Sequence, residues 1–338
     1  MNMDTADIAK RITESAAKCT GVEIIEAPKI GEGDWKNELL FFMKPEVFML
    51  TGAGETEKLV QFIMDSIGRY DAKIDGICAV SGSALEQYGI MSAHYGYINV
   101  MSNSASVKTD KEAKDAIEKA FGLKEGEYEI LGGHEYLKRF GGTPESLDKE
   151  WFAEKSVKIR SGFYVRLIEK EGRKVVLVDG FHPSQLAYFT EPSRRIVLFL
   201  LHSNTEWSRL RNSMVGTTFP EKAAPESIRG TLHAHAREYG FEKVDISNNC
   251  VHLSAGPFEA LFEISNFFGK LTNTDIEKVQ PNILKKMVSS GMTYAEAIKS
   301  LENPKFAFSG KETDLFSATE DKDTDEAIRV YKDGVLKR

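Results

Sequence analysis

Apolar residues in this chain fall into short continuous runs separated by longer stretches of helical periodicity, the pattern of strands alternating with helices. Residues 39–43, Leu-Leu-Phe-Phe-Met, form an apolar run of strand length. Residues 55–70 follow with Leu59, Phe62, Ile63 and Ile67 at helical spacing. Residues 74–80 predict a second strand, and 83–95 a second helix entered through the capping stretch Ser81-Gly82-Ser83. Before these, residues 1–35 read as a short helix and then a segment punctuated by Pro28, Gly31 and Gly33.

The texture changes between about 96 and 175. A charged helix is predicted over 111–121, glycine pairs form joints at Gly132-Gly133 and Gly141-Gly142, and 162–168 with 174–178 predict a hairpin turning at Glu171-Gly172. This stretch reads as an inserted module. Beyond it come a buried-type strand over 195–201, a short helix over 205–212, a long loop over 214–230 and a short strand over 249–253. That strand runs into Ser254-Ala255-Gly256-Pro257 and a helix over 258–268, whose first turn accommodates Pro257. A helical region over 274–301 and an acid-rich tail over 311–325, read as a solvated and mobile end, complete the pattern. The expected division is 1–35, an N-terminal extension; 36–95 with 176–270, a discontinuous main domain; 96–175, the insertion; and 271–338, a helical extension with the tail.

Composition narrows the class. The 338 residues are 41% hydrophobic and carry a formal charge of −7, as in a globular chain. No apolar stretch approaches the roughly 20 residues of a membrane span. Residues 1–18 mix charged and small residues without the apolar core of a signal peptide, so a cytoplasmic location is expected. Cys19, Cys78 and Cys250 are odd in number and far apart, which draws neither a disulfide framework nor a metal knuckle. The acidic balance disfavours non-specific nucleic-acid binding. No phosphate-binding loop of the G-x-x-x-x-G-K-[ST] type is present, and Gly52-Ala53-Gly54 lacks a third fingerprint glycine and reads as a turn. His233-x-His235 would put two imidazoles on one face of a strand, yet no third ligand accompanies them and no metal site is expected.

Three separated stretches suit phosphates. Met43-Lys44-Pro45-Glu46 puts a lysine at a strand end, 216–230 is a loop with hydroxyls and a terminal arginine, and Asn249-Cys250-Val251-His252-Leu253-Ser254 puts a histidine just before a helix. Helix starts favour anions, so an imidazole there is well placed as a nucleophile. On a regular strand Cys250 and His252 share one face and Asn249 and Val251 the other, unless the strand bends.

Taken together, Phe181-His182-Pro183, the block over 214–230, Asn249-x-x-His252-x-Ser254 and Glu263, eleven residues past the histidine, resemble the nucleoside diphosphate kinase family. The chain looks like a divergent member with an internal insertion and a C-terminal extension. The resemblance implies an α/β (α+β) fold, a ferredoxin-like sandwich with a four-stranded antiparallel sheet and helices on one face. It also implies transfer of the terminal phosphate of a nucleoside triphosphate to a nucleoside diphosphate through a phosphohistidine on His252. Glu263 would orient His252 and Ser254 would support it. Lys44, Thr218 and Arg229 would hold phosphates, Asn249 would bond the sugar, Tyr95 would lie near the reacting group, and Phe181 would face the base, with Ile246 opposite. Mg²⁺ bound to the nucleotide phosphates, and assembly into a homo-oligomer, are part of the same expectation.

The departures are specific. The family's H-G-S-D reads His252-Leu253-Ser254-Ala255, and the arginine expected four residues before Gly216 is Asn212, with Arg211 beside it as the expected substitute for binding phosphate. On an α-helix a one-residue shift turns a side chain by about 100°. These changes keep two alternatives open: a nucleotide-binding or regulatory protein with weakened chemistry, and a phosphotransferase of narrowed acceptor range.

Overall fold

The run over 39–43 belongs to a strand, Asn37–Met43, in which every residue is buried. Such a strand must lie inside a sheet covered on both faces. The computed structural model describes residues 5–52 and 54–336; Ala53 of the expected Gly52-Ala53-Gly54 turn and the first four residues of the expected N-terminal helix lie outside them. The chain divides into two compact units, Met1–Ala84 with Pro192–Arg338, and Leu85–Glu191.

In the first unit the strands are β1 (Val22–Glu26), β2 (Asn37–Met43), β3 (Ala72–Ser81), β4 (Arg195–Ser203) and β5 (Val251–Leu253). They form one sheet in the order β1-β3-β4-β2-β5, antiparallel throughout. The sheet therefore has five strands where four were expected. The extra one, β1, pairs along β3 from Val22↔Val80. Its sequence, Val-Glu-Ile-Ile-Glu, is too short and too poorly alternating to register as a strand beforehand.

Leu39, Phe41 and Met43 of β2, with Val197, Phe199 and Leu201 of β4, point to a core shared with helices α1 (Thr5–Lys18) and α2 (Glu55–Gly68). The alternate residues face the other way, where Phe42 meets Phe267 at 5.7 Å between ring centroids and Glu38 accepts from the Asn282 N–H at 2.7 Å. Helices thus cover both faces rather than one, because the helical segment over 257–269 and the C-terminal extension pack on the side expected to be bare. That extension is not purely helical either, since Lys305–Phe308 and Lys311–Asp314 form a hairpin.

The expected solvated tail is corrected most strongly. Residues Leu315–Thr319 and Thr324–Tyr331 are helices, and Thr319, Thr324 and Tyr331 are buried. Asn37 of β2 accepts from the backbone N–H and the hydroxyl of Thr324, both at 3.0 Å, and donates to Asp323 at 2.8 Å. His233 and His235 also depart from expectation. They lie at the end of the helix Ile228–Ala234, where His233 Nδ1 meets the Val244 carbonyl and His235 Nδ1 meets Glu238.

In the second unit a four-stranded sheet runs in the order Tyr128–Gly132, Arg173–Val178, Phe163–Lys170, Val157–Arg160, with only the first pair parallel. The expected hairpin is present, with Lys170 opposite Arg173 and both turn residues, Glu171 and Gly172, at positive φ. Val176 and Val178 pack on one face with Met101, Ala105 and Ile117; Val175 and Leu177 pack on the other with Tyr136, Leu147 and Trp151. The helix expected over 83–95 is broken into Gly82–Gln87 and Ile90–His94 by Gly89 at φ +60. Among the described residues no helix is long and apolar enough to cross a membrane.

Candidate functional site

The short strand β5 lies antiparallel to β2 with His252 opposite Phe42, so the two side chains leave the sheet on the same face. Their rings stack at 4.6 Å between centroids, 22° from parallel. On that face runs α3 (Pro257–Ile264), which brings in Glu263, whose side chain is fully buried. Its Oε1 lies 2.7 Å from His252 Nε2, and its Oε2 lies 2.5 Å from the Ser254 hydroxyl. A carboxylate can only accept, so Nε2 carries the hydrogen of this pair and Nδ1 is the nitrogen with the nucleophilic lone pair.

Ser254 is fixed in turn. Its hydroxyl accepts from the Leu40 N–H at 3.2 Å, its own N–H donates to the Leu40 carbonyl at 3.0 Å, and its carbonyl accepts from the Trp207 indole at 3.0 Å. Buried polar contacts of this kind leave the carboxylate little freedom, while the His252 side chain keeps 20% exposure.

The expected sharing of a face by Cys250 and His252 does not hold. Cys250 has φ +66, in the left-handed region, and regular pairing begins only at Val251. The bend is held by Cys250 donating its N–H to Glu46 Oε1 and accepting from the Lys44 N–H, both at 2.8 Å. Cys250 is buried in the core below the sheet as a result. A non-glycine residue in that region costs of order 1–3 kcal/mol, offset here by its fixed neighbours.

Beside His252 is a cavity of about 180 Å³, lined by Arg211, Gly216, Thr218, Arg229, Ala255 and Glu259 among others. Arg229 sits in the first turn of the helix Ile228–Ala234, whose cap is the Ser227 hydroxyl accepting from the Gly230 N–H. Its guanidinium is buried and donates only to carbonyls, of Gly216 at 2.9 Å and Val251 at 2.8 Å. Nε has no partner among the described residues, and no carboxylate pairs with the group. Burial pushes its pKa down to about 10 and the nearby charge of Arg211 adds to the shift, while Cys250 and Glu46 oppose it. It remains a cation at neutral pH. Gly216, at φ +92, leaves no room for a side chain, since a Cβ there would lie 2.5 Å from Ser227 Oγ.

The backbone that carries the displaced arginine is not α-helical. Leu210–Val215 is a π-turn, and Gly216 donates its N–H to the carbonyl of Arg211, five residues back, at 2.9 Å. In an α-turn that bond would reach residue 212. Arg211 and Asn212 both line the cavity; Asn212 is exposed and donates its amide to the Ser208 carbonyl.

Lys44 donates to Asn249 Oδ1 at 2.6 Å, and the Asn249 amide donates to the carbonyls of Ile246 and Thr218 at 3.2 and 3.5 Å. Asn249 thus ties three loops together and carries Lys44. Burial lowers the Lys44 pKa, Glu46 opposes that shift, and Arg229 reinforces it. Thr218 is exposed on the cavity rim, and Ile246 is half exposed.

Tyr95 and Phe181 belong to the second unit. There Tyr95 packs edge-on against His182, with ring centroids 5.5 Å apart, and Phe181 packs against Trp151 and Tyr164. Sequence reasoning therefore finds the histidine, its carboxylate and serine, and the cations. It misses Phe42 and Trp207, whose only signal was to sit on predicted elements, the part Glu46 plays in holding the bend at Cys250, and the acids that meet Arg211.

No family model matches this chain, and no curated protein matches it. Among solved structures, an NDP kinase from Pyrobaculum aerophilum aligns over 70% of this chain and 98% of its own length, with 18% identity and a TM-score of 0.33, a weak resemblance at the level of the fold.

Proposed function

We propose that this protein is a nucleoside diphosphate kinase that carries the phosphate on His252. The observation that carries the reading is the arrangement of His252, its Nε2 held by the buried Glu263–Ser254 pair, beside a cavity lined by Arg211 and by Arg229, a buried cation that forms no ion pair among the described residues. A buried guanidinium without a carboxylate is costly unless an anion arrives to share it. The resemblance of the sequence motifs to the family points the same way. So does the chain order β2, α2, β3, β4, the Ile228–Ala234 helix and β5, with spatial order β3-β4-β2-β5, which we read as ferredoxin-like with β1 added at the edge.

The transfer proceeds in two displacements. Nδ1 of His252 attacks the terminal phosphorus of the triphosphate, forming an N–P bond as the bond to the bridging oxygen breaks and the nucleoside diphosphate leaves. A terminal oxygen of the acceptor diphosphate then attacks that phosphorus and the N–P bond breaks, restoring the imidazole. Glu263 holds the proton on Nε2 and stabilises the positive charge that the ring gains during attack. Phosphoryl transfer is mostly positioning and charge neutralisation, and Arg211, Arg229, Lys44 and Thr218 supply these here. The cavity offers one carboxylate, Glu259, and hydroxyls among cations. That donor set suits Mg²⁺ arriving on the phosphates better than a cage built by the protein alone. When bound, the ion would neutralise charge on the transferring group.

The test is incubation with γ-labelled ATP and Mg²⁺ beside a His252→Ala variant, followed by GDP and CDP. The expected result is base-stable, acid-labile label on the wild type alone, discharged by both diphosphates. Absence of label in a protein that binds ATP would overturn the kinase reading and leave a nucleotide-binding module.

A further inference from the structure

Arg211 is met by two acids from the C-terminal extension. Its Nη1 lies 2.7 Å from Glu320 Oε1 and 2.8 Å from Asp321 Oδ1, with the Ala255 carbonyl at 3.5 Å. All three contacts fall on that one nitrogen. Nε and Nη2 make no hydrogen bond among the described residues, and Arg211 lines the cavity beside His252. A carboxylate that blocked the guanidinium would take its two-nitrogen edge, the edge that matches a carboxylate or phosphate. Here that edge makes no hydrogen bond among the described residues, on a side chain that lines the cavity.

The acids are held by the fold. Asp321, at φ +61, donates its N–H to the Ala255 carbonyl at 2.9 Å. Gly256 packs so closely on the Thr319 backbone that a Cβ there would lie 2.5 Å from its carbonyl oxygen. Two residues on, Asp323 accepts from the Trp207 N–H at 2.8 Å, at the start of the helical segment that carries Arg211, and pairs with Lys36 at 2.6 Å. The Trp207 indole in turn holds Ser254. One short stretch of the extension therefore fixes the arginine's side chain and the start of its helix, and through Trp207 it touches the support of Glu263.

We propose that Glu320 and Asp321 are positioning residues for phosphate binding, anchoring Arg211 by Nη1 so that Nε and Nη2 face the phosphates of the nucleotide. This rests on the proposed kinase reading for the nature of the ligand. An arginine carried on a wide π-turn needs such an anchor because its long side chain would otherwise lose several rotamers on binding.

The experiment uses the full chain with Glu320→Gln and Asp321→Asn combined, and each change alone in case the double variant does not fold. In the kinase assay KM for the nucleoside triphosphate is expected to rise about tenfold, by more than kcat falls. In parallel, calorimetric titration with inorganic pyrophosphate is expected to show affinity weakened by a similar factor. Unchanged or tighter pyrophosphate binding in a folded double variant would overturn the proposal, tighter binding marking the acids as a quench on Arg211. If the wild type never forms phosphohistidine, the kinase reading fails, and the pyrophosphate titration still decides this one.

Discussion

Glu263 reaches His252 from inside the protein, its Oε1 2.7 Å from Nε2 and its side chain wholly buried. The pair fixes which ring nitrogen bears the proton, and Ser254 fixes the carboxylate. Replacing Glu263 by Gln keeps the volume and removes the charge that stabilises the cationic ring. The rate of acid-labile labelling of His252 is expected to fall by about 10²-fold, at the lower end of what an oriented acid–base partner contributes. Labelling at the wild-type rate would remove Glu263 from the mechanism.

Arg229 combines a structural and a binding role, and the two separate experimentally. Arg229→Met leaves the Gly216 and Val251 carbonyls without their donors, costing about 1–3 kcal/mol for each buried group left unpaired. Its Tm is therefore expected to fall. The wild type is expected to gain several degrees of Tm on adding saturating pyrophosphate, because a ligand bound only by the folded state stabilises it. The variant is expected to gain little. A pyrophosphate shift of equal size in both proteins would show that the anion sits elsewhere.

Legibility in the sequence tracked the locality of the cause. The strand over 39–43 was visible because both of its faces are buried and its residues are uniformly apolar. The helix Lys111–Phe121 appeared with its observed bounds because its apolar spacing, its cap Asp110 and the terminating Gly122 are all local. His252 and Glu263 were legible through the motifs that carry the family resemblance, and in the fold a strand end followed by a helix brings residue 263 to the ring. The acidic stretch was misread for the opposite reason. Glu320, Asp321 and Asp323 are ordinary solvated residues by composition, and their partners, Arg211, Trp207 and Asn37, lie more than a hundred residues away in sequence. The displaced arginine was unreadable because composition does not announce a π-turn, and the bend at Cys250 because nothing marks a non-glycine residue for positive φ.

The second face of the sheet buries an ionic cluster whose pH response is definite. His202 is fully buried between Asp75 and Glu38, each 2.8 Å from a ring nitrogen, and Trp35 stacks on it. Burial opposes its charge, but hydrogen bonds and charge from Glu38 and Asp75 outweigh that and raise its pKa. Its contribution is complete below the unfolded value of about 6.5 and is lost as pH rises through the folded value. Burial also opposes the charge on Asp75, yet Lys73 and His202 lower its pKa, so its contribution is present above the unfolded value and is lost as pH falls through the lowered folded value. The urea midpoint is expected to fall as pH rises above about 6.5 and through the raised folded value. His202→Leu should lower the midpoint at pH 6 by the equivalent of about 3–5 kcal/mol, the usual cost of breaking a buried pair, and flatten the profile. A flat wild-type profile would show that the cluster holds no proton.

In the second unit Asp179 gives a pH response of the same direction from a different cause. Its carboxyl is fully buried at φ +47; one oxygen accepts from the Tyr164 N–H at 3.1 Å and the other has no partner among the described residues. Burial pushes its pKa up to about 7, against the single hydrogen bond that lowers it. The unfolded chain ionises near 3.9, so the folded state holds a proton that the unfolded state has released across the interval between them. Stability of this unit is then expected to decline as pH rises from about 4 to 7, by at most about 4 kcal/mol. Asp179→Asn keeps the acceptor for Tyr164, tolerates the left-handed backbone and cannot ionise. Hydrogen exchange at the Tyr164 amide, followed from pH 5 to 8 and corrected for its intrinsic rate, should show protection falling in the wild type and holding level in the variant. Parallel profiles would mean that the Asp179 carboxyl ionises at an ordinary pH despite its burial.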